Sequence, residues 1–106
     1  MKCLKTIEDA LKTVSENVGH YEALKKDDRY IVWAEDGGAG QLAGDNVVCA
    51  QAVQGTIDYF TRQDDDPLAD AIQEALKKAK VSFSLNSVRY EDETRYIHYE
   101  WVFEVS

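Results

Sequence analysis

No stretch of this sequence approaches the roughly 18–20 consecutive apolar residues that a membrane-spanning helix needs. The N-terminus, Met1-Lys2-Cys3-Leu4-Lys5, runs into acidic residues rather than an apolar segment, so it does not read as a secretory signal. The expectation is a protein made and kept in a cytosol, with no membrane partner. Basic residues are scarce: 12 Lys and Arg stand against 20 Asp and Glu, a formal charge of −8. A nucleic-acid partner is not expected, because displacing counterions from a phosphate backbone takes a Lys/Arg footprint. There are only two cysteines, Cys3 and Cys49, far apart and outside any ligand spacing such as C-x-x-C. A reducing cytosol disfavours a bridge between them, so both are expected to be free thiols.

The usual signatures of chemistry are missing as well. Two histidines, His20 and His98, have no nucleophile motif such as G-x-S-x-G to serve. His98 and Glu100 share one face of a predicted strand, but one His and one Glu are too few for zinc. The run Asp64-Asp65-Asp66 lacks the alternate spacing of a calcium loop and is explained by helix capping. Gly38-x-Gly40 with Gly44 fits neither common phosphate-loop template, and no helix start follows to aim amides at an anion. No cofactor, no metal and no enzymatic activity are expected.

What remains is an ordinary folding sequence. Its 106 residues, 44% hydrophobic and 30% charged, suit one globular domain and leave no room for a second core. Ile7, Ala10, Leu11, Val14 and Val18 recur at helical steps, and Thr6 with Asp9 resembles a capping box, which predicts a helix over 6–18. Tyr30-Ile31-Val32-Trp33-Ala34 reads as a buried strand, with the segment around Tyr21 as its antiparallel partner. Residues 36–46 carry four of the six glycines and read as a mobile loop able to order on assembly. Val47 to Arg62 reads as extended, with a bulge or kink near Gly55. A helix is predicted over 67–79, with Pro67 in its first turn and Leu68, Ala71, Ile72, Ala75, Leu76 and Ala79 inward.

The C-terminal segment reads as a hairpin. Ile97, Tyr99, Trp101, Phe103 and Val105 alternate with polar residues on one strand. On its partner, the parity switches between Leu85 and Val88, which calls for a bulge at Asn86-Ser87. The register that follows pairs Val88 with Ile97, Leu85 with Tyr99, Phe83 with Trp101 and Val81 with Phe103, and sets two residues opposite His98. Helix, strands, helix, strands implies a single α+β domain: an antiparallel sheet of four to five strands with two helices packed on one face.

Three segments carry a family resemblance: Tyr30-Ile31-Val32-Trp33-Ala34-Glu35-Asp36, Gln54-Gly55-Thr56-Ile57-Asp58-Tyr59-Phe60-Thr61, and Leu85 to Val105 with its Tyr96-Ile97-His98-Tyr99-Glu100-Trp101-Val102-Phe103. Together they resemble small minor tail proteins encoded in prophages of Gram-positive bacteria. The order of elements is similar to that of the tail-terminator proteins of long-tailed phages, over roughly residues 29–106. The resemblance implies a non-enzymatic protein that assembles in the host cytoplasm and ends in the virion tail. It implies self-association into a hexameric ring, with tail-tube or head-completion proteins as further partners. The family brings no catalytic residues. Candidate interface residues are Gly38, Gly40 and Leu42 in the loop, and Tyr96, His98 and Glu100 on the outward face of the last strand, where Tyr96 suits an interface. The alternative is a small cytosolic module that binds a ligand or a protein and has no part in phage assembly.

Overall fold

The computed structural model describes residues 2–39 and 52–105. Its elements are α1 (Lys2–Lys12), β1 (Val18–His20), β2 (Arg29–Ala39), β3 (Ala52–Thr61), α2 (Pro67–Lys78), β4 (Ser82–Glu91) and β5 (Tyr96–Val105). The strands form a five-stranded sheet in the order β1-β2-β3-β5-β4. The α+β class and single layer of two helices agree with the sequence reading. The sheet is antiparallel except at one edge, where β1 runs parallel to β2 and pairs Val18 with Ile31 and His20 with Trp33. That parallel strand replaces the expected antiparallel pairing of the Tyr21 segment.

The first helix lies earlier than the capping-box reading placed it. Its inward stripe is Cys3, Leu4, Ile7, Ala10 and Leu11, so the helical period extends back through residues that precede Thr6. Thr6 is an exposed mid-helix residue. The helix closes where Thr13 Oγ1 donates to the Ala10 carbonyl at 2.6 Å and the amides of Thr13 and Val14 turn to carbonyls three residues back. Val18 is buried as its apolar character requires, but on β1. Cys3 is a free, buried thiol; Cys49 lies outside the described residues.

The strand predicted at Tyr30–Ala34 continues much further. Residues 36–39, expected in the glycine-rich loop, extend β2 and pair with β3: Gly38 lies opposite Val53 and Ala39 opposite Ala52. The rest of that loop, 40–46, and the start of the predicted extended stretch, 47–51, lie outside the described residues. The irregularity expected near Gly55 sits on the facing strand, where the register shifts between Glu35 and Gly37. Gly55 itself is where backbone and ring approach closest. A Cβ there would lie 2.2 Å from the Ala34 carbonyl oxygen and 2.6 Å from Cζ of Phe103. Gly55→Ala is therefore expected to lower stability by about 1–3 kcal/mol, the usual penalty of overpacking. Urea unfolding checks this, and an unchanged midpoint would show that the Ala34 backbone and the Phe103 ring both yield freely.

The hairpin of β4 and β5 has its bulge where parity placed it, between Leu85 and Ser87. The register is displaced by two residues from the expected one. Phe83 pairs with Phe103, Leu85 with Trp101, Val88 with Tyr99 and Tyr90 with Ile97, and Glu100 rather than His98 faces the bulge. The cause is the turn. The ladder continues to Glu91 opposite Tyr96, and Arg95 closes the loop at φ 63° with its amide donating to the Glu91 carbonyl at 2.7 Å. A shift of two keeps every side chain on its predicted face.

Both helices cover the odd-numbered face of the central strands. Ile31, Trp33, Val53, Ile57, Tyr59, Trp101, Phe103 and Val105 meet the stripe of α1 and Ala69, Ile72, Ala75 and Leu76 of α2 in one cluster. Leu68 and Ala79 are partly buried against it, as predicted. Ala69 takes the buried position that the sequence reading gave to Ala71, which is only half-buried.

Candidate assembly surfaces

The helix-free face of the sheet carries an aromatic cluster drawn from three strands. Tyr30 stacks on Phe60 at 4.6 Å between centroids, Tyr96 meets both rings edge-on, and His98 stacks on Phe60 at 4.2 Å. The Arg62 guanidinium lies 4.2 Å over the Tyr96 ring, a cation–π contact. The Tyr96 hydroxyl donates to the Asp27 carbonyl at 2.7 Å. His98 Nε2 donates to Asp58 Oδ1 at 2.7 Å, and its Nδ1 lies 3.6 Å from Glu91 Oε2. The two carboxylates approach opposite sides of the imidazole and do not converge on a common point. Among the described residues, no group of three or more His, Cys, Asp or Glu is arranged to hold a metal ion.

Tyr96 and His98 thus face away from the helices, as parity predicted, yet they are only 6% and 9% exposed. Tyr30, Phe60 and Arg62 cover them, and no local pattern in the last strand reveals these neighbours. Glu100 is half-buried and accepts from Asn86 Nδ2 at 3.1 Å beside the bulge. Gly38 belongs to the β2–β3 ladder, well away from these three. Gly40 and Leu42 lie outside the described residues.

One end of the sheet is fixed by a buried carboxylate that sequence reading credited only with capping. Asp66 caps α2 in an extended conformation, φ −71° and ψ 119°, with Oδ1 accepting from the Leu68 amide at 2.9 Å. Its Oδ2 accepts from the Tyr59 hydroxyl at 2.7 Å and Thr61 Oγ1 at 2.6 Å, and it meets Arg29 Nε at 3.0 Å. Burial alone would raise this carboxyl, but the hydrogen bonds from Thr61, Leu68 and Tyr59 and the Arg29 charge outweigh it and hold it below the usual aspartate range. Burial and the neighbouring carboxylate push the Tyr59 phenol far up. This is a structural knot that ties the start of α2 to β2 and β3, with the carboxylate buried and the Arg29 side chain reaching it from the surface.

The sheet edges are the more open surfaces. Among the described residues, five large apolar side chains are conspicuously exposed: Tyr21 61%, Leu24 70%, Leu85 49%, Val88 49% and Tyr90 60%. The first two flank β1 and the last three sit on β4, so they occupy the two opposite edges of the sheet. At the β1 edge, the rings of Tyr21, His20 and Trp33 form a stack, with His20 3.8 Å from Trp33 and 4.2 Å from Tyr21. His20 Nε2 donates to Glu35 Oε1 at 2.7 Å. Burial would raise the Glu35 carboxyl, but the bonds from His20 and Tyr21 outweigh it and lower it. On β4 the apolar parity of Leu85, Val88 and Tyr90 marks one face of the strand. Parity gives the face of a strand and not what covers it.

No helix among the described residues is long and apolar enough to cross a membrane. The sequence matches no known protein-family profile, and no curated protein matches it. Solved structures do resemble the fold. A chain from the virion of a native gene transfer agent particle is similar with a TM-score of 0.59 and 14% identity, covering 93% of this chain and 89% of that one. A chain from a structure concerned with the mechanism of H-NOX activation aligns at a TM-score of 0.41 and 11% identity, over 78% of this chain and 38% of that one. At 14% identity, what this chain shares with the gene transfer agent virion chain is the fold.

Proposed function

We propose that this chain is a non-enzymatic structural component of a phage-like particle, acting at the tail end or the head–tail junction as a tail-terminator-like ring. The observation that carries the reading is the likeness to the gene transfer agent virion chain, which spans nearly all of both molecules. The resemblance of the strand segments to minor tail proteins points the same way. The sheet edges add support, because a ring subunit must offer two different patches and this one carries exposed apolar side chains at two opposite sides. Partners under this reading are further copies of the chain, six to a closed ring, together with tail-tube or head-completion proteins.

The −8 charge opposes self-association, and salt screens that repulsion. The isolated protein is therefore expected to be monomeric in dilute low-salt buffer and to assemble at high concentration, at high salt, or on a tube end. Light scattering across both variables tests self-assembly, and imaging of tail tubes mixed with the protein tests the role. A protein that stays monomeric throughout and decorates no tube end returns the assignment to a small cytosolic ligand- or protein-binding module.

A further inference from the structure

We propose that the two outer strands of the sheet are the two halves of one head-to-tail contact, in which the β4 edge of one copy of this chain docks on the β1 edge of the next. The proposal rests on the assembly reading above and names the surfaces and the occupant.

Position comes first. The register places Trp33, Ile57, Trp101 and Leu85 in one row across the sheet, and Ile31, Tyr59, Tyr99 and Val88 in another. His20 and Val18 extend the same two rows at the other edge. The Tyr21 ring stacks on His20, and the chain at Leu24 returns against Gly19, whose Cβ position lies 2.7 Å from the Leu24 amide nitrogen. The two apolar patches therefore stand at the same level along the strands. Leu85, Val88 and Tyr90 pair with Trp101, Tyr99 and Ile97 of the helix-covered side, and Tyr21 shares that side through its stack on His20, while the chain at Leu24 lies against the other face of β1 at Gly19. Rotation about an axis running along the strands brings one patch onto the other without a shift in height, and keeps the helices of every subunit on one side.

Charge comes second. Leu24 is followed by Lys25 and Lys26, and Tyr90 by Glu91, Asp92 and Glu93. Both runs lie at the end of the sheet where Arg29, Thr61, Ile97 and Tyr90 form a row. The basic pair on one edge thus stands level with the acidic turn on the other. Lys26, Asp92 and Glu93 enter no ion pair among the described residues, and Lys25 reaches only the exposed Asp27 at 3.7 Å. In an otherwise acidic molecule this attraction selects β1 against β4 and disfavours β4 against β4, where two acidic turns would meet. Hydrogen bonding comes third. β4 is ten residues long and, among the described residues, one side of its backbone has no partner strand, a template that another chain can use.

The test is crosslinking with charge exchange, on chains shown to fold by circular dichroism. Under conditions where the unaltered chain assembles, Leu24→Cys/Val88→Cys should oxidise to a covalent ladder ending at the ring size. Each single variant should give no more than the background set by Cys3 and Cys49. Lys25→Glu/Lys26→Glu and Asp92→Lys/Glu93→Lys should each raise the concentration needed for assembly by about tenfold or more, and an equimolar mixture should restore it. A dimer from Val88→Cys alone would overturn the proposal in favour of a symmetric β4 contact. Assembly of the unaltered chain with no effect of any edge variant would overturn it and leave the ring reading standing. An unaltered chain that never self-associates would overturn both.

Discussion

Asp66→Ala is expected to destabilise the domain by about 3–5 kcal/mol, from a lost helix cap of about 1 kcal/mol and two buried hydroxyls left without an acceptor at about 1–3 kcal/mol each. The side chain is fully buried, and its loss leaves Arg29, the Tyr59 and Thr61 hydroxyls and the Leu68 amide without their acceptor. Against a total domain stability of about 5–15 kcal/mol, that is a large share. Asp66→Asn should cost clearly less, because asparagine still caps the helix and still accepts hydrogen bonds. The carboxyl is held below its ordinary range in the folded chain, so its contribution is complete above the unfolded value of about 3.9 and disappears as pH falls through the folded value. The stability gap between the native chain and Asp66→Asn should therefore be widest near neutrality and narrow below about pH 4. Chemical unfolding at a series of pH values measures both effects. An Ala variant as stable as the native chain would mean that Arg29 and the two hydroxyls find water instead.

Trp101→Ala should cost about 3–5 kcal/mol through the cavity it leaves. Trp101 is among the most deeply buried side chains, lies between Ile57 and Leu85 across the sheet, and donates from Nε1 to Gln73 Oε1 of α2 at 3.0 Å. Trp101→Phe should lose much less, about 1 kcal/mol for the missing hydrogen bond plus a small packing term. Both variants should unfold cooperatively with shifted urea midpoints. A loss under 1 kcal/mol for the Ala variant would mean that α2 does not seal this part of the sheet.

The two predictions differ in how far sequence could reach them. Trp101 stands in an unbroken odd-numbered apolar series, and that alternation alone identifies its face. The bulge at Asn86-Ser87 was legible for the same reason, since one extra residue is the only way to change parity within a strand. The two-residue displacement of the hairpin was not legible, because such a slip leaves every residue on its face and is decided by the turn at Arg95. The helical period that predicts α1 over 6–18 also runs back through Cys3 and Leu4, ahead of the capping-box pattern, and Val18 continues it by coincidence from β1. The knot at Asp66 depends on Arg29, which a whole hairpin separates from it. The cover over Tyr96 and His98 likewise comes from β2 and β3, and local patterns carry no information about partners so distant in the chain.

The strand order has a consequence for how the molecule forms. β2 with β3, and β4 with β5, are hairpins whose contacts close over short stretches of chain. The sheet is completed only when β5 joins β3, bringing Thr61 to Ile97 and Val53 to Val105 across the whole of α2. That seam is the step with the greatest loop-closure entropy and is expected to limit the folding rate. Before it closes, two ready-made hairpins each present an open inner edge. After it closes, β1 and β4 are the outer strands of the sheet. Substitutions on the β3–β5 seam should therefore slow refolding, whereas those on the outer side of β4 should leave it unchanged.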